Sequence, residues 1–383
     1  MFKFKDYDLK HYNVSLLGLV IILGSVGMVL IQRLQDANER QFEKQVLGYI
    51  LGVSLAIFIS LIDYHFICKF YIPLYIINFI LLVIVKFSPW GKAHYDAKRW
   101  ILIPGINQEV QPSELTKIII ILFFAKYFDM MHRQINKLGV LALSFVLIAI
   151  PTGLILIQTD LSTSIVLGVT FLAMLFIAGL SYKIILPTIA IAVPAFAALF
   201  WYVQQPYQIL LNEYQQLRVL AMVHPELYPD LAYQQSNAAK AIVSGGMTGK
   251  LLTDGNAPLK SGMVPVIESD FIFTAIAEAF GFVGSVIVIL LLALFVYKAI
   301  RIAKHARDYQ GMMIASGIAS LVMFQIFVNI GVVTSILPNT GIPLPFVSSG
   351  LSALMGNMIM VGILLNVSLQ NDRMIPKKEE LSL

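Results

Sequence analysis

Residues 271–299 read FIFTAIAEAFGFVGSVIVILLLALFVYKA, and Glu278 and Lys298 are the sole charges in the run. An α-helix needs about 20 apolar residues to cross the hydrocarbon core of a bilayer, so this stretch is long enough to span. Comparable apolar runs separated by polar breaks lie at 13–32, 46–64, 68–87, 113–128, 138–157, 162–180, 184–203, 311–335 and 348–370. Together they predict about ten transmembrane helices in one domain covering 1–383. Of the 383 residues 58% are hydrophobic and 13% charged, against about 25% charged in soluble domains. Too little polar sequence remains to cover a water-facing surface, which excludes a soluble globular protein. The fold class that follows is an all-α polytopic membrane protein.

In such a chain the 24 Phe, 16 Tyr and 15 Met are lipid-facing and helix-packing residues rather than a cofactor box. The single cysteine, Cys68, cannot form an internal disulfide and has no neighbours at zinc spacing. A formal charge of +5 in so apolar a chain implies no nucleic-acid partner. Its placement is more informative. Lys3, Lys5 and Lys10 precede the first helix, which is too long for a secretory signal and is followed by further spans. Basic residues recur at Lys69, at Lys126, Arg133 and Lys137, at Lys183, at Lys298, Arg301, Lys304 and Arg307, and in the tail at Arg373, Lys377 and Lys378. The positive-inside rule then puts those loops and both termini in the cytoplasm.

Two of the segments that the same parity puts outside stand out. The 88–112 loop is basic although external, with Lys92, Lys98 and Arg99, which points to anionic ligands. Segment 204–270, between helices seven and eight, is a large extracytoplasmic loop, longer than a connection needs. Its aromatic and apolar residues, with Gly245, Gly246, Gly249 and Gly255, predict short re-entrant or interfacial helices joined by tight turns.

Ionisable groups at membrane depth are costly and mark functional paths. Helix four opens Gln111-Pro-Ser-Glu114-Leu-Thr-Lys117, where Ser113 can cap and Glu114 and Lys117 share a face. That pair either neutralises itself at a helix end or, with Arg99, forms a cation-lined mouth able to hold pyrophosphate. Gln158-Thr-Asp160-Leu-Ser162-Thr163 leaves Asp160 open between a helix cap and a ligand group. The long loop holds Arg218 and Ser244-Gly-Gly, with Lys250 beyond, at no P-loop spacing, and ends Glu268-Ser-Asp270. Asp270 is either the cap of helix eight or a partly desolvated general base; Glu278 lies two turns deeper. The Pro-rich run from Leu337 to Gly350, containing Ser348, reads as an ordered loop dipping toward a cavity.

These segments, in this order over almost the whole chain, resemble the shape, elongation, division and sporulation (SEDS) family, whose best-known members are RodA and FtsW. The resemblance implies a peptidoglycan glycosyltransferase of the bacterial cytoplasmic membrane. Its substrate would be lipid II, the undecaprenyl-pyrophosphate-linked disaccharide-pentapeptide, and its partner a class B penicillin-binding protein. The family's essential aspartate matches Asp270, and Arg99, Gln111, Ser113, Glu114, Lys117, Asp160, Arg218, Glu278 and Ser348 are the candidate substrate-binding residues. A divalent cation, magnesium or manganese, is a candidate aid to the pyrophosphate; no organic cofactor is expected. The chain departs from the family pattern. Val266 and Ala279 stand where glutamates are usual, Thr159 and Ser162 replace a Pro and a Gly, and Ser349 and Leu351 replace a Tyr and a Gly. Two other readings suit the same sequence: a lipid II flippase, and a catalytically inactive scaffold of a cell-wall synthesis complex.

Overall fold

The computed structural model describes residues 12–34, 41–94, 97–103, 108–253, 259 and 264–370. The basic residues Lys3, Lys5, Lys10, Arg373, Lys377 and Lys378, together with Gly255, lie outside the described residues. The first helices are α1 (Val14–Leu34), α2 (Gln41–Ser60), the short α3 (Tyr64–Lys69) and α4 (Tyr71–Phe87). Strands β1 (Gly91–His94), β2 (Ala97–Ile103) and β3 (Gln108–Val110) follow, then α5 (Pro112–Met131), α6 (Leu138–Ile157), α7 (Leu161–Ile177) and α8 (Tyr182–Val203). After α9 (Glu213–Val223), α10 (Pro229–Ser244) and α11 (Lys250–Thr253) come α12 (Ile272–Lys304), α13 (Tyr309–Val333) and α14 (Leu351–Leu369).

Every predicted apolar run coincides with a helix. Among the described residues, seven helices, α1, α2, α6, α8, α12, α13 and α14, are long and apolar enough to cross a membrane. The apolar α4 and α7 are shorter, at 17 residues each. Helix α5 has 20 residues but carries Glu114, Lys117, Lys126 and Asp129. Helix α2 begins at Gln41, ahead of the predicted start, because its polar first turn continues the same helix. Helix α14 begins at Leu351 rather than 348, since Gly350 at its N-cap has φ 134° and ψ 105°, a non-helical conformation open to glycine.

Helix α13 sits at the centre, packed against α5, α7 and α12, and α14 lies along α2. Gly48, Gly52 and Ala56 recur every turn on the buried face of α2, allowing the close helix approach typical of membrane bundles. Helix α8 is the opposite case: Val203 is its one buried residue, and Leu186, Ile191, Val193 and Phe196 are exposed. An apolar surface of that kind is stable in lipid and not in water.

Two features depart from an uninterrupted all-helical reading. Strands β1, β2 and β3 form a three-stranded antiparallel sheet in that order, with Lys92 paired to Trp100 and Ile101 to Val110. Helix α12 is broken at Gly281, whose φ of 68° and ψ of −165° interrupt the ladder. The Phe282 and Val283 amides that lose helical partners donate instead to the Gly246 and Met247 carbonyls, at 2.9 and 3.1 Å. At this contact a Cβ on Gly281 would meet the Gly249 nitrogen, so only glycine fits.

Candidate active site

A cavity of about 920 Å³ opens at the end of the bundle where α5, α7, α13 and the Pro-rich loop meet the segment preceding α12. Its lining brings together Arg99, the Gln111, Glu114 and Lys117 of one helix start, Asp160, Arg218 and Asp270.

Asp270 does not cap α12. The N-cap is Phe271, with no side-chain cap bond, so the Asp270 carboxylate is left for the cavity wall. Its backbone is held at three consecutive carbonyls. Ser349 N donates to Glu268 O at 2.8 Å, Ser348 Oγ to Ser269 O at 2.5 Å, and Asn329 Nδ2 to Asp270 O at 2.8 Å. Asn329 Nδ2 also donates to Ile342 O at 2.8 Å, joining the Asp270 segment to the Pro-rich loop through a fully buried amide on α13. Ser269 Oγ donates to Asp270 Oδ1 at 2.9 Å, and a Cβ on Gly341 would come 3.2 Å from Oδ2. Burial pushes the Asp270 carboxyl above the ordinary carboxylate range; the Ser269 hydroxyl and the Arg218 and Arg99 charges oppose that rise, and Glu268 adds to it.

The cations approach from two sides. Arg99, on β2, donates through Nη2 to Thr159 O at 2.6 Å and stands 4.0 Å from Asp160 Oδ1. Thr159 has φ 61°, a left-handed conformation uncommon for a β-branched residue, found here beside the site. Arg218, on α9, donates to Asn339 O at 3.0 Å. Lys117 lies 2.7 Å from Glu114, both nearly fully buried, so the pair neutralises itself and lines the cavity at once. Asp160 is likewise both cap and wall: it accepts from Thr163 N at 3.1 Å to start α7 and from Gln111 Nε2 at 3.4 Å.

Three candidates do not reach the cavity lining. Ser113 lies buried in the first turn of α5, behind the Gln111 N-cap. Ser348 supports Asp270 from behind, as above, and accepts from Leu344 N at 2.8 Å. Glu278 is fully buried, accepting from Lys250 Nζ and, at 3.1 Å, from Ser244 Oγ. It thereby pins the glycine turn of the 204–270 segment onto α12. Of the divergent positions, Val266 lines the cavity with φ 55° and Ala279 is fully buried away from it.

The structure adds Gln325, Asn329, Asn339 and Thr340 to the site or its support. Gln325 and Asn329 stand four apart on one face in the apolar second half of α13, and that spacing was the available signal. No group of three or more His, Cys, Asp or Glu side chains among the described residues is arranged to hold a metal.

The arrangement puts a carboxyl group beside a cationic, partly apolar chamber. The chain resembles known proteins throughout its length. The family model for FtsW, RodA and SpoVE, described as cell cycle protein, matches residues 9–373. A probable peptidoglycan glycosyltransferase FtsW from Trichlorobacter lovleyi is 32% identical over 95% of each chain. The peptidoglycan glycosyltransferase MrdB of Escherichia coli is 31% identical over 94% of each. A chain in a solved peptidoglycan synthase complex, studied for its coordination of polymerization and crosslinking, is 26% identical. It superposes with a TM-score of 0.78 over 93% of this chain and 97% of that one. The crystal structure of the rod shape determining protein RodA of Thermus thermophilus shares the fold, at 24% identity and a TM-score of 0.68 over 95% and 98% of the two chains. The chain belongs to the SEDS family, the FtsW, RodA and SpoVE cell cycle proteins.

Proposed function

We propose that the protein is a peptidoglycan glycosyltransferase that polymerises lipid II outside the bacterial cytoplasmic membrane, alongside a class B penicillin-binding protein. The observation that carries this reading is the convergence of Asp270 with Arg99, Arg218 and Lys117 on one cavity. Glycosyl transfer needs a base for the acceptor hydroxyl and positive charge for the departing pyrophosphate, and the cavity supplies both. Asp270 takes the hydroxyl proton as the oxygen attacks the anomeric carbon. The bond from that carbon to the pyrophosphate oxygen breaks, and its electron pair leaves with the lipid pyrophosphate, which Arg99 and Arg218 stabilise, while Lys117, paired with Glu114, adds N–H donors without net charge. A carboxyl raised by burial is a better base than an ordinary aspartate. Val166, Phe271, Ile342 and Leu351 supply apolar wall for the start of the prenyl chain.

In this reading the ten apolar helices all span, segment 204–270 is extracytoplasmic, and both termini are cytoplasmic. The cavity then faces outside, where the polymer forms. A divalent cation also belongs to the proposal. Mg²⁺ commonly takes one or two carboxylates with the substrate's own phosphates, so the cation would arrive with lipid II. Asp160 and Glu109 line the cavity with Asp270 and Glu114, Glu109 in a pair with Lys92 at 3.3 Å.

The test is reconstitution with lipid II and a class B partner made transpeptidase-dead, resolving glycan length on a gel and following lipid II across the bilayer of sealed vesicles. Glycan strands are the expected product. Transport without glycan would identify a flippase, and neither activity in a folded complex would identify a scaffold.

A further inference from the structure

We propose that Gln325, Asn339 and Thr340 form the sugar-binding subsite beside Asp270, a set of buried polar atoms that waits for the hydroxyl and acetamido groups of an N-acetylated sugar. This rests on the transferase reading above and adds to it the residues that choose the sugar. All three line the cavity. Gln325 Oε1, Asn339 Oδ1 and Thr340 Oγ1 are each buried with no hydrogen-bond partner among the described residues. Buried polar atoms in native proteins nearly always find a partner, so three orphans on one cavity wall point to a partner brought by a ligand.

The surroundings show a built site. Asn339 and Thr340 are fixed by their backbones and not by these atoms. Arg218 Nη1 donates to Asn339 O at 3.0 Å, Ser162 Oγ donates to Thr340 O, and Asn339 Nδ2 reaches Gln234 Oε1 at 2.7 Å. Gln325 is 3% exposed and stands one helical turn before Asn329, the residue that holds Asp270 O. Gly341, the next residue after Thr340, runs against the Asp270 carboxylate. The three residues therefore line the same cavity as Asp270, and the backbone next to Thr340 touches its carboxylate.

The chemistry of the partner follows from the atoms. Amide oxygens accept and need donors, and a hydroxyl both gives and takes. Phosphate oxygens at neutral pH are acceptors and belong with Arg99, Arg218 and Lys117. Sugar O–H groups and an acetamido N–H are donors, and the sugar held here is the one whose hydroxyl faces Asp270. Within one cavity the cations thus serve the pyrophosphate, and the amide and hydroxyl groups, which begin beside Arg218 at Asn339, serve the ring.

The experiment measures binding of two probes, lipid II and sugar-free undecaprenyl pyrophosphate, to the full-length protein in complex with its partner. Losing two ordinary hydrogen bonds predicts that Gln325→Met with Thr340→Val weakens lipid II binding about tenfold. Undecaprenyl pyrophosphate should bind as to wild type, and Thr340→Ser should restore half of the loss. Unchanged lipid II affinity would overturn the subsite, as would a parallel loss for both probes. Asp270→Asn separates the two readings. If it still makes glycan, the base assignment fails, while the contrast between the probes continues to decide the sugar subsite.

Discussion

Replacing Asn329 by Ala tests whether the Asp270 segment is positioned or merely present. The substitution removes both donations from Nδ2, to Asp270 O and to Ile342 O, each 2.8 Å long and buried. At about 0.5–1.5 kcal/mol per ordinary hydrogen bond, the loss to stability is about 1–3 kcal/mol. Catalysis should suffer separately. A displacement of about 1 Å at a reacting group can cost about a hundredfold. Here Ser349 N and Ser348 Oγ still hold the two preceding carbonyls, so the shift is partial and kcat should fall about tenfold, or 1.4 kcal/mol in the barrier. KM for lipid II should change less than twofold, because Asn329 does not line the cavity. Steady-state glycan polymerisation, read with thermal melting in detergent, measures both effects. A lowered melting temperature with unchanged kcat would mean that the amide holds the fold together and has no bearing on Asp270.

Three further outcomes follow from the same geometry. Glu278→Gln should destabilise the protein by about 3–5 kcal/mol by stranding Lys250 against a neutral partner, and Glu278→Leu with Lys250→Met should recover much of it in the same melting experiment. Arg218→Gln should move the acid limb of the kcat/KM profile to higher pH, because Arg218 opposes the burial that raises the Asp270 carboxyl and the base works only when deprotonated. His65 bridges Asp63 at 2.8 Å and Asp308, with Tyr64 and Arg307 also acting on the cluster. The hydrogen bond to Asp308 lifts the His65 pKa above its ordinary 6.5, against burial, with Asp63 adding to the rise. That contribution to stability is complete below pH 6.5 and is lost as pH rises through the folded-state value. The gap in melting temperature between wild type and His65→Gln should therefore close on the alkaline side.

Much of the helical frame was legible because spanning a bilayer requires long apolar runs, and hydropathy finds those without any knowledge of packing. The runs at 138–157 and 184–203 match α6 and α8 almost residue for residue. The sheet was not legible. Strands of 4, 7 and 3 residues carry too little periodicity to separate from a loop, and their pairing brings together residues such as Lys92 and Trp100 that share no local signal. The site divides on similar grounds. Asp270, Lys117, Arg99 and Arg218 stand out because charge near a membrane is expensive, whereas Gln325 and Asn329 are neutral amides inside an apolar helix and look like filler. Glu278 shows the converse. Its charge marked it, but its partner, Lys250, lies 28 residues away, and only the broken helix at Gly281 brings the two together.

The most direct measurement is lipid II polymerisation by wild type and Asp270→Asn, each purified with a transpeptidase-dead class B partner and shown by melting temperature and co-purification to be folded and assembled. Wild type should build long glycan strands, and the variant, which keeps the shape of Asp270 and loses its basicity, should build none. Glycan of normal length and rate from Asp270→Asn would contradict the account, and the base would have to be sought elsewhere in the cavity.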